Sequence, residues 1–307
     1  MKTFIKVTEI WVPNKEHTHL VLKEGTYGDY QHFKKISQQK QFAYRSGLPG
    51  KVWSSGLPII LKDLENTYFE RSGEAHKVGL TCAIGFPVFS GEFLMAVIVF
   101  LCGDDKDHAG AIEIWSNQAD SLDELQLING YYGTLKYFAG ISVDTKIGKG
   151  TGLPGLVWAR NRPVLIDDIG HSTEFIRAHD ALQAGISTGI GIPVNRGVGK
   201  FHALVFLSAK ATPIAKRMQV WVPDEQHEKL YCHDAYGSKN DSLAEMFETK
   251  TISKGEDIIG KVWLTGVPTI VESNFNGQLQ DPAGISALLA IPVIDKGILT
   301  AVVTFMF

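Results

Sequence analysis

Residues 148–155, GKGTGLPG, set Gly150, Gly152 and Gly155 in the spacing G-x-G-x-x-G, ahead of LVWARNRPVLIDDI. That continuation reads as a helix followed by a strand ending in acids. The pattern is the spelling of a dinucleotide loop, in which glycines let backbone approach a pyrophosphate at a helix N-terminus. Metal chemistry has one other candidate, His17-x-His19 at the first hairpin, but no third ligand stands near it in the sequence. Thiol chemistry has Cys82, Cys102 and Cys232, odd in number, far apart and without a C-x-x-C. No Ser-His-Asp order, no facing pair of acids and no metal triad emerges, so the chain is not expected to be an enzyme.

The elements around the glycines decide what they are for. A dinucleotide loop follows a buried apolar strand inside a parallel βαβ unit, whereas ISVDTKIGKG is polar and alternating. No G-K-[ST] is present to make a phosphate loop either. Internal repetition is more informative. SGLPGKVWSSGLPIILKDL at 46–64 returns as TGLPGLVWARNRPVLIDDI at 151–169 and as EDIIGKVWLTGVPTIVESN at 256–274, a step of 105 residues each time. GLTCAIGFPV at 79–88 returns at 185–194 and 284–293, and VTEIWVPN, AIEIWSNQ and MQVWVPDE form a third set. All six tryptophans fall into two of these sets: Trp11, Trp115, Trp221 and Trp53, Trp158, Trp263. The glycine triplet corresponds to Arg45, Gly47, Gly50 and to Gly255, Asp257, Gly260, so only its last member recurs throughout. It reads as a helix start.

A repeat this long can bury a small core of its own. Three tandem domains are expected, near 1–104, 105–211 and 212–307. In each, a short helix ends at Gly56, Asn161 or Gly266, the residue types that best tolerate a left-handed cap, and Pro58, Pro163 or Pro268 stops it. A β-rich run follows, then Asp63, Asp168 or Ser273 as N-cap of a second helix. Two apolar strands close the unit and two more open it. The predicted fold is α+β, an antiparallel sheet with helices on one face.

The net charge of −3 speaks against a dedicated nucleic-acid binder. The longest apolar run, Phe93 to Cys102, is too short to span a bilayer. No signal-peptide core is visible, and unpaired cysteines fit a reducing compartment. A cytoplasmic protein with no membrane span is expected.

The order GLPG-x-VW-x(2)-G-x-P-x-I-x(2)-D, then F-x-R-x(3)-A-x(3)-G, then AIGFPV and a final strand resembles the GAF domain, most of all those attached to bacterial sensor kinases. Phe69, Arg71, Ala75 and Gly79 carry the middle motif in the first copy and Phe175, Arg177, Ala181 and Gly185 in the second. The resemblance covers the chain three times. It implies a small-molecule pocket between helices and sheet, walled by Phe69, Arg71, His76 and Cys82 in copy one and by Phe175, Arg177, His179 and Thr188 in copy two. Arg71 and Arg177 are either surface or capping arginines, or anion clamps, since guanidinium pairs bidentately with carboxylate or phosphate. Copy three keeps only ten residues, 274–283, where the helical lid should be, and lacks F-x-R. The NKFDE signature of cyclic-nucleotide binders is missing. Cys232-His233, a pair that bilin-binding relatives would use, falls on an early strand instead. The loop cysteines of the free methionine sulfoxide reductases of this family are absent too. The resemblance names no cofactor.

Members of the family usually begin and end with long helices that cover the reverse of the sheet. Here no such flanking helices are expected, yet the closing strands are apolar on both sides: Leu94, Ala96, Ile98 and Phe100 oppose Phe93, Met95, Val97, Val99 and Leu101. Such runs belong to strands buried on both faces. The reverse faces are therefore expected to be covered by another copy of the unit, by a second chain in a homo-oligomer, or by a protein partner. Two functions fit: a non-catalytic small-molecule sensor or regulator acting in trans, or an assembly protein that uses GAF-like folds as interaction surfaces.

Overall fold

The structure, a computed structural model, describes residues 3–103, 109–118, 121–194, 200–237, 250–272 and 285–307. Three six-stranded antiparallel sheets follow one another along the chain. The first joins β1 (Ile5–Pro13), β2 (His19–Thr26), β3 (Gln41–Ala43), β4 (Ile59–Leu61), β5 (Leu80–Ser90) and β6 (Phe93–Gly103) in the order β3-β2-β1-β6-β5-β4. The second is built from β7 (Ala109–Gln118), β8 (Ser121–Gly133), β9 (Lys146–Gly148), β10 (Val164–Asp167), β11 (Ile186–Pro193) and β12 (His202–Ala209). The third comprises β13 (Arg217–Pro223), β14 (Lys229–Tyr236), β15 (Thr251–Ser253), β16 (Thr269–Glu272), β17 (Ala287–Asp295) and β18 (Ile298–Met306). Both repeat the strand order of the first. Each unit is an α+β layer of one sheet with helices.

The helices are α1 (Gln31–Gln38), α2 (Gly47–Ser55) and α3 (Ser72–Lys77) in unit 1, and α4 (Lys136–Asp144), α5 (Gly152–Arg160) and α6 (Ala178–Gln183) in unit 2. Unit 3 has α7 (Asp257–Thr265) among its described residues. The predicted caps hold: Gly56, Asn161 and Gly266 are left-handed, with φ of 66°, 47° and 66°. The helix starts three residues earlier than the sequence suggested, at Gly47 and Gly152, because the second and third members of the triplet belong to its first turn. Positions 45, 150 and 255 all have positive φ, as do 47, 152 and 257, even where Arg45 or Asp257 stands there. At Gly50, Gly155 and Gly260 a Cβ would collide with a backbone oxygen, that of Ala43, Gly148 or Ser253. Two left-handed residues and one close approach thus write G-x-G-x-x-G with no nucleotide. Asp63 accepts the Glu65 amide at 2.9 Å in a turn rather than capping a helix, and Asp168 takes a left-handed φ of 51°. Ser273 and the shortened third lid lie outside the described residues.

Trp11, Trp115 and Trp221 are fully buried at matching places, each just after a bulge in the first strand's pairing with the second. The bulge leaves one extra residue on the partner strand: Lys23, Ile128 and His233, lying between the paired positions. A bulge re-aims the side chain it carries. Lys23 and His233 reach the neighbouring unit, where Lys23 donates to the Pro268 carbonyl at 3.2 Å and His233 Nε2 lies 3.1 Å from Arg162.

The reverse faces of the three sheets pack against one another. One core contains Ile84, Ile98 and Phe100 of unit 1, Ile190, Leu204 and Phe206 of unit 2, and Ile291, Val303 and Phe305 of unit 3. Phe100, Phe206 and Phe305, paired with Thr8, Ile112 and Met218, occupy one register position and meet ring to ring, with centroids 5.4–6.3 Å apart. At the rim β4 lies along β8, β10 along β14 and β16 along β2, which closes a ring with pseudo-threefold symmetry. This corrects the expectation of a homo-oligomer or protein partner over these faces. Internal repetition places three apolar faces within one chain, and they bury one another.

Candidate functional site

The alternation of β1 places Glu9 and Trp11 on one face of the strand, toward the helices, so a carboxylate enters the apolar layer between sheet and helices. Glu9 is fully buried and Arg71, just before α3, is 2% exposed. Arg71 Nη2 donates to Glu9 Oε2 at 2.8 Å, and Nη1 donates to Glu9 Oε1 and to Ser37 Oγ on α1. Trp11 Nε1 donates to Oε2 at 2.9 Å and Tyr27 Oη to Oε1 at 3.0 Å. Ser37 Oγ in turn donates to the Phe33 carbonyl at 2.9 Å. The guanidinium carbon lies 4.9 Å from the Phe33 ring centroid, 5.1 Å from Phe69, 5.3 Å from Trp11 and 5.9 Å from Phe42.

Unit 2 repeats the assembly. Arg177 Nη1 and Nη2 donate to Glu113 at 2.6 and 2.8 Å, and Nη1 also bonds Ser142. Trp115 Nε1 and Tyr132 Oη complete the carboxylate at 2.8 and 2.9 Å. Phe138, Phe175 and Trp115 surround the cation at 4.7–5.1 Å. Burial pushes both carboxyls up. The arginine beside each, with the hydrogen bonds it and the tryptophan donate, more than reverses this and holds Glu9 and Glu113 below the usual carboxylate range. Burial, together with the adjoining carboxylate, drives the Tyr27 and Tyr132 phenols up, so they stay protonated donors.

Chemically the arrangement is closed. Four donors occupy the lone-pair sites of each carboxylate. Neither acid has a face open to a reactant, and each guanidinium already grips a carboxylate. In unit 3 Gln219 stands at the glutamate position and accepts from Trp221 Nε1 at 3.1 Å and Thr304 Oγ1 at 3.2 Å.

The residues expected on a ligand wall separate in space. Phe69, Arg71, Phe175 and Arg177 come together around the buried pairs. His76 points outward, its side chain 68% exposed and its Nδ1 2.7 Å from Glu65. His179 is also exposed and bonds Gln183. Cys82 is buried in the core between units, on the other face of its sheet. Thr188 sits at the matching strand position in unit 2 and contacts Asp167 at 3.4 Å. Counting along a motif could not separate the two faces, since neighbouring strand residues point opposite ways. Among the described residues no group of three or more His, Cys, Asp or Glu is placed to hold a metal. Cys232 and His233 lie on β14, as expected of an early strand.

Sequence reasoning missed Glu9, Glu113, Tyr27, Tyr132, Ser37, Ser142 and the helices α1 and α4. The signal was present: E-I-W occurs twice and Q-V-W once, a polar residue on the inward side of an apolar strand. Phe33–Ser37 and Phe138–Ser142 also match as F-x-x-I-S.

No protein-family model matches the chain, and no curated protein does. Solved GAF domains align with it. The A. aeolicus nlh2 GAF domain in an inactive state does so at 21% identity and a TM-score of 0.27, over 33% of this chain and 60% of that one. A GAF domain of a phosphoenolpyruvate-protein phosphotransferase from Coxiella burnetii aligns at 17% identity and a TM-score of 0.27, over 32% and 56%. Free methionine-R-sulfoxide reductase from Neisseria meningitidis, in complex with its substrate, aligns at 14% and 0.26, over 32% and 52%. Each alignment takes in about a third of this chain and a little over half of the other. No helix among the described residues is long and apolar enough to cross a membrane.

Proposed function

We propose that the protein is a non-catalytic interaction scaffold of regulatory type, three GAF-like units locked into one body that presents its outer side to a protein partner. Two buried arginines that already hold the chain's own carboxylates favour this over an anion sensor in those two interiors. One observation carries the reading, a comparison of unit 2 with unit 1. Ile128, Tyr137, Val143, Ile176 and Leu182 are apolar and 49–68% exposed. The matching positions of unit 1 hold Lys23, His32, Gln38, Glu70 and His76. The same scaffold is therefore built with polar groups at every one of these places, and folding does not ask for the apolar set. A contiguous patch of exposed apolar side chains marks a contact surface, and Tyr137 and Val143 share α4 while Leu182 lies on α6 of the same unit.

Native mass spectrometry on the chain purified from its own source tests this. A stoichiometric complex with a second protein is expected. The triple variant Tyr137→Gln, Val143→Gln, Leu182→Gln should keep its thermal midpoint and lose that partner. A wild-type chain that runs alone and carries a retained small molecule would reverse the reading in favour of a sensor.

A further inference from the structure

Between β2, α1 and the incoming strand β16 of unit 3 lies a cleft of about 360 Å³. That is within the range of small-molecule sites, roughly 300–1,000 Å³, and junctions between folded units are where such sites concentrate. Its apolar lining comes from Leu22, Tyr27 and Ile270, and Lys34, Gln38 and Glu272 line it with polar groups. Lys23 and Glu24 line the cleft as well and hold the junction together. Lys23 Nζ donates to the Pro268 carbonyl at 3.2 Å and to Thr269 Oγ1 at 3.1 Å, and Glu24 Oε2 accepts the Ile270 amide at 2.7 Å.

Lys34 and Glu272 make no such clasp, although Lys34 Nζ stands 5.9 Å from the centroid of the Tyr27 ring. Their charged atoms are 4.0 Å apart, and their side chains are 30% and 54% exposed. An ion pair this long and this wet contributes little to stability. The equivalent junction, where β4 lies along β8, has Ala139 at the position of Lys34, Val143 at that of Gln38 and Lys62 at that of Glu272. The ring therefore forms without an opposed cation and anion here, and their presence in one junction is a chemical choice.

We propose that this cleft binds an α-amino acid with an apolar side chain. A free carboxylate and a free ammonium on one carbon can each take a short, charge-assisted bond, to Lys34 and Glu272 respectively, in place of one long one. Gln38 offers an amide donor and acceptor beside them, and the side chain lies over Leu22, Tyr27 and Ile270. The site is distinct from the apolar contact surface of unit 2 and does not depend on that surface having a partner.

Isothermal titration of the full chain with L-leucine and with L-phenylalanine tests the proposal. Saturable binding of at least one is expected. 4-Methylpentanoate and isopentylamine, which each lack one charge of leucine, should bind at least tenfold more weakly than leucine if leucine is the ligand. 3-Phenylpropanoate and phenethylamine play the same part for phenylalanine. Lys34→Gln and Glu272→Gln lie on the exposed rim, so each should fold normally and lose at least tenfold in affinity. Absence of saturable binding by both amino acids at millimolar concentration overturns the proposal. So does affinity unchanged in both variants, or equal binding of a singly charged analogue.

Discussion

Arg71→Met is the most informative perturbation of the buried pair. Methionine fills much of the same space among Phe33, Phe42 and Phe69, so the principal loss is the guanidinium's charge and its bonds to Glu9 and Ser37. Glu9 is then a carboxylate with no accessible surface, left with the Trp11 and Tyr27 donors alone. Breaking a buried pair from one side costs about 3–5 kcal/mol, a large part of the roughly 5–15 kcal/mol that holds a domain folded. Removing both charges behaves differently. In Glu9→Gln with Arg71→Met no ion is stranded, and unit 3 already shows a glutamine held by tryptophan at this place, Gln219 with Trp221. The double variant should recover most of the loss, since replacing a whole buried pair by neutral groups is often neutral or better. Urea unfolding at pH 7, followed by tryptophan fluorescence on wild type, both single variants and the double, completes the cycle. A double variant as unstable as Arg71→Met would refute the reasoning. So would an Arg71→Met protein within about 1 kcal/mol of wild type whose only defect is lost protection by added acetate or sulfate, because the arginine would then serve an external anion.

Three further outcomes follow from the same geometry. Both buried carboxyls have folded pKa values below the ordinary one. Their contribution is therefore complete above the unfolded carboxylate value of about 4.3 and is lost as pH falls through the lower folded value. Wild type should lose stability on acidification in that window, and the double variant should show a flatter acid limb in pH-dependent melts. Phe206→Ala empties a position where rings from three sheets meet and should cost about 3–5 kcal/mol. Hydrogen exchange should then rise in all three units together, and a rise confined to unit 2 would contradict a shared core. Gly155→Ala sets a methyl against the Gly148 carbonyl and should lower the thermal midpoint without altering affinity for NAD or ATP, neither of which is expected to bind.

The residues show unequally how far a chain can be read in one dimension. Gly56, Asn161 and Gly266, with the prolines after them, carry their conformation in their own covalent structure, so the helix ends were legible. Strand periodicity and the repeated tryptophans made the sheet and the number of units legible for the same local reason. Glu9 and Glu113 were not, because a carboxylate on a strand has the same local pattern whether it meets water or an arginine 62 or 64 residues away. Cys82 could not be separated from Phe69 without knowing which face each residue takes. Helices α1 and α4 were hidden as well, since eight or nine residues hold their shape here by packing Phe33 and Phe138 more than by propensity.

What the chain determined by itself is a thrice-repeated layer with an apolar reverse face that had to be covered. Only the tertiary structure decided what covers it. Burial of apolar surface is non-directional, so the same strands would satisfy it against a second chain or against their own repeats. The matched register of Phe100, Phe206 and Phe305 and the junctions clasped by Lys23, Glu24 and Asn129 selected the closed ring. With that closure came the cleft beside Lys34 and Glu272, whose two walls lie more than two hundred residues apart in sequence.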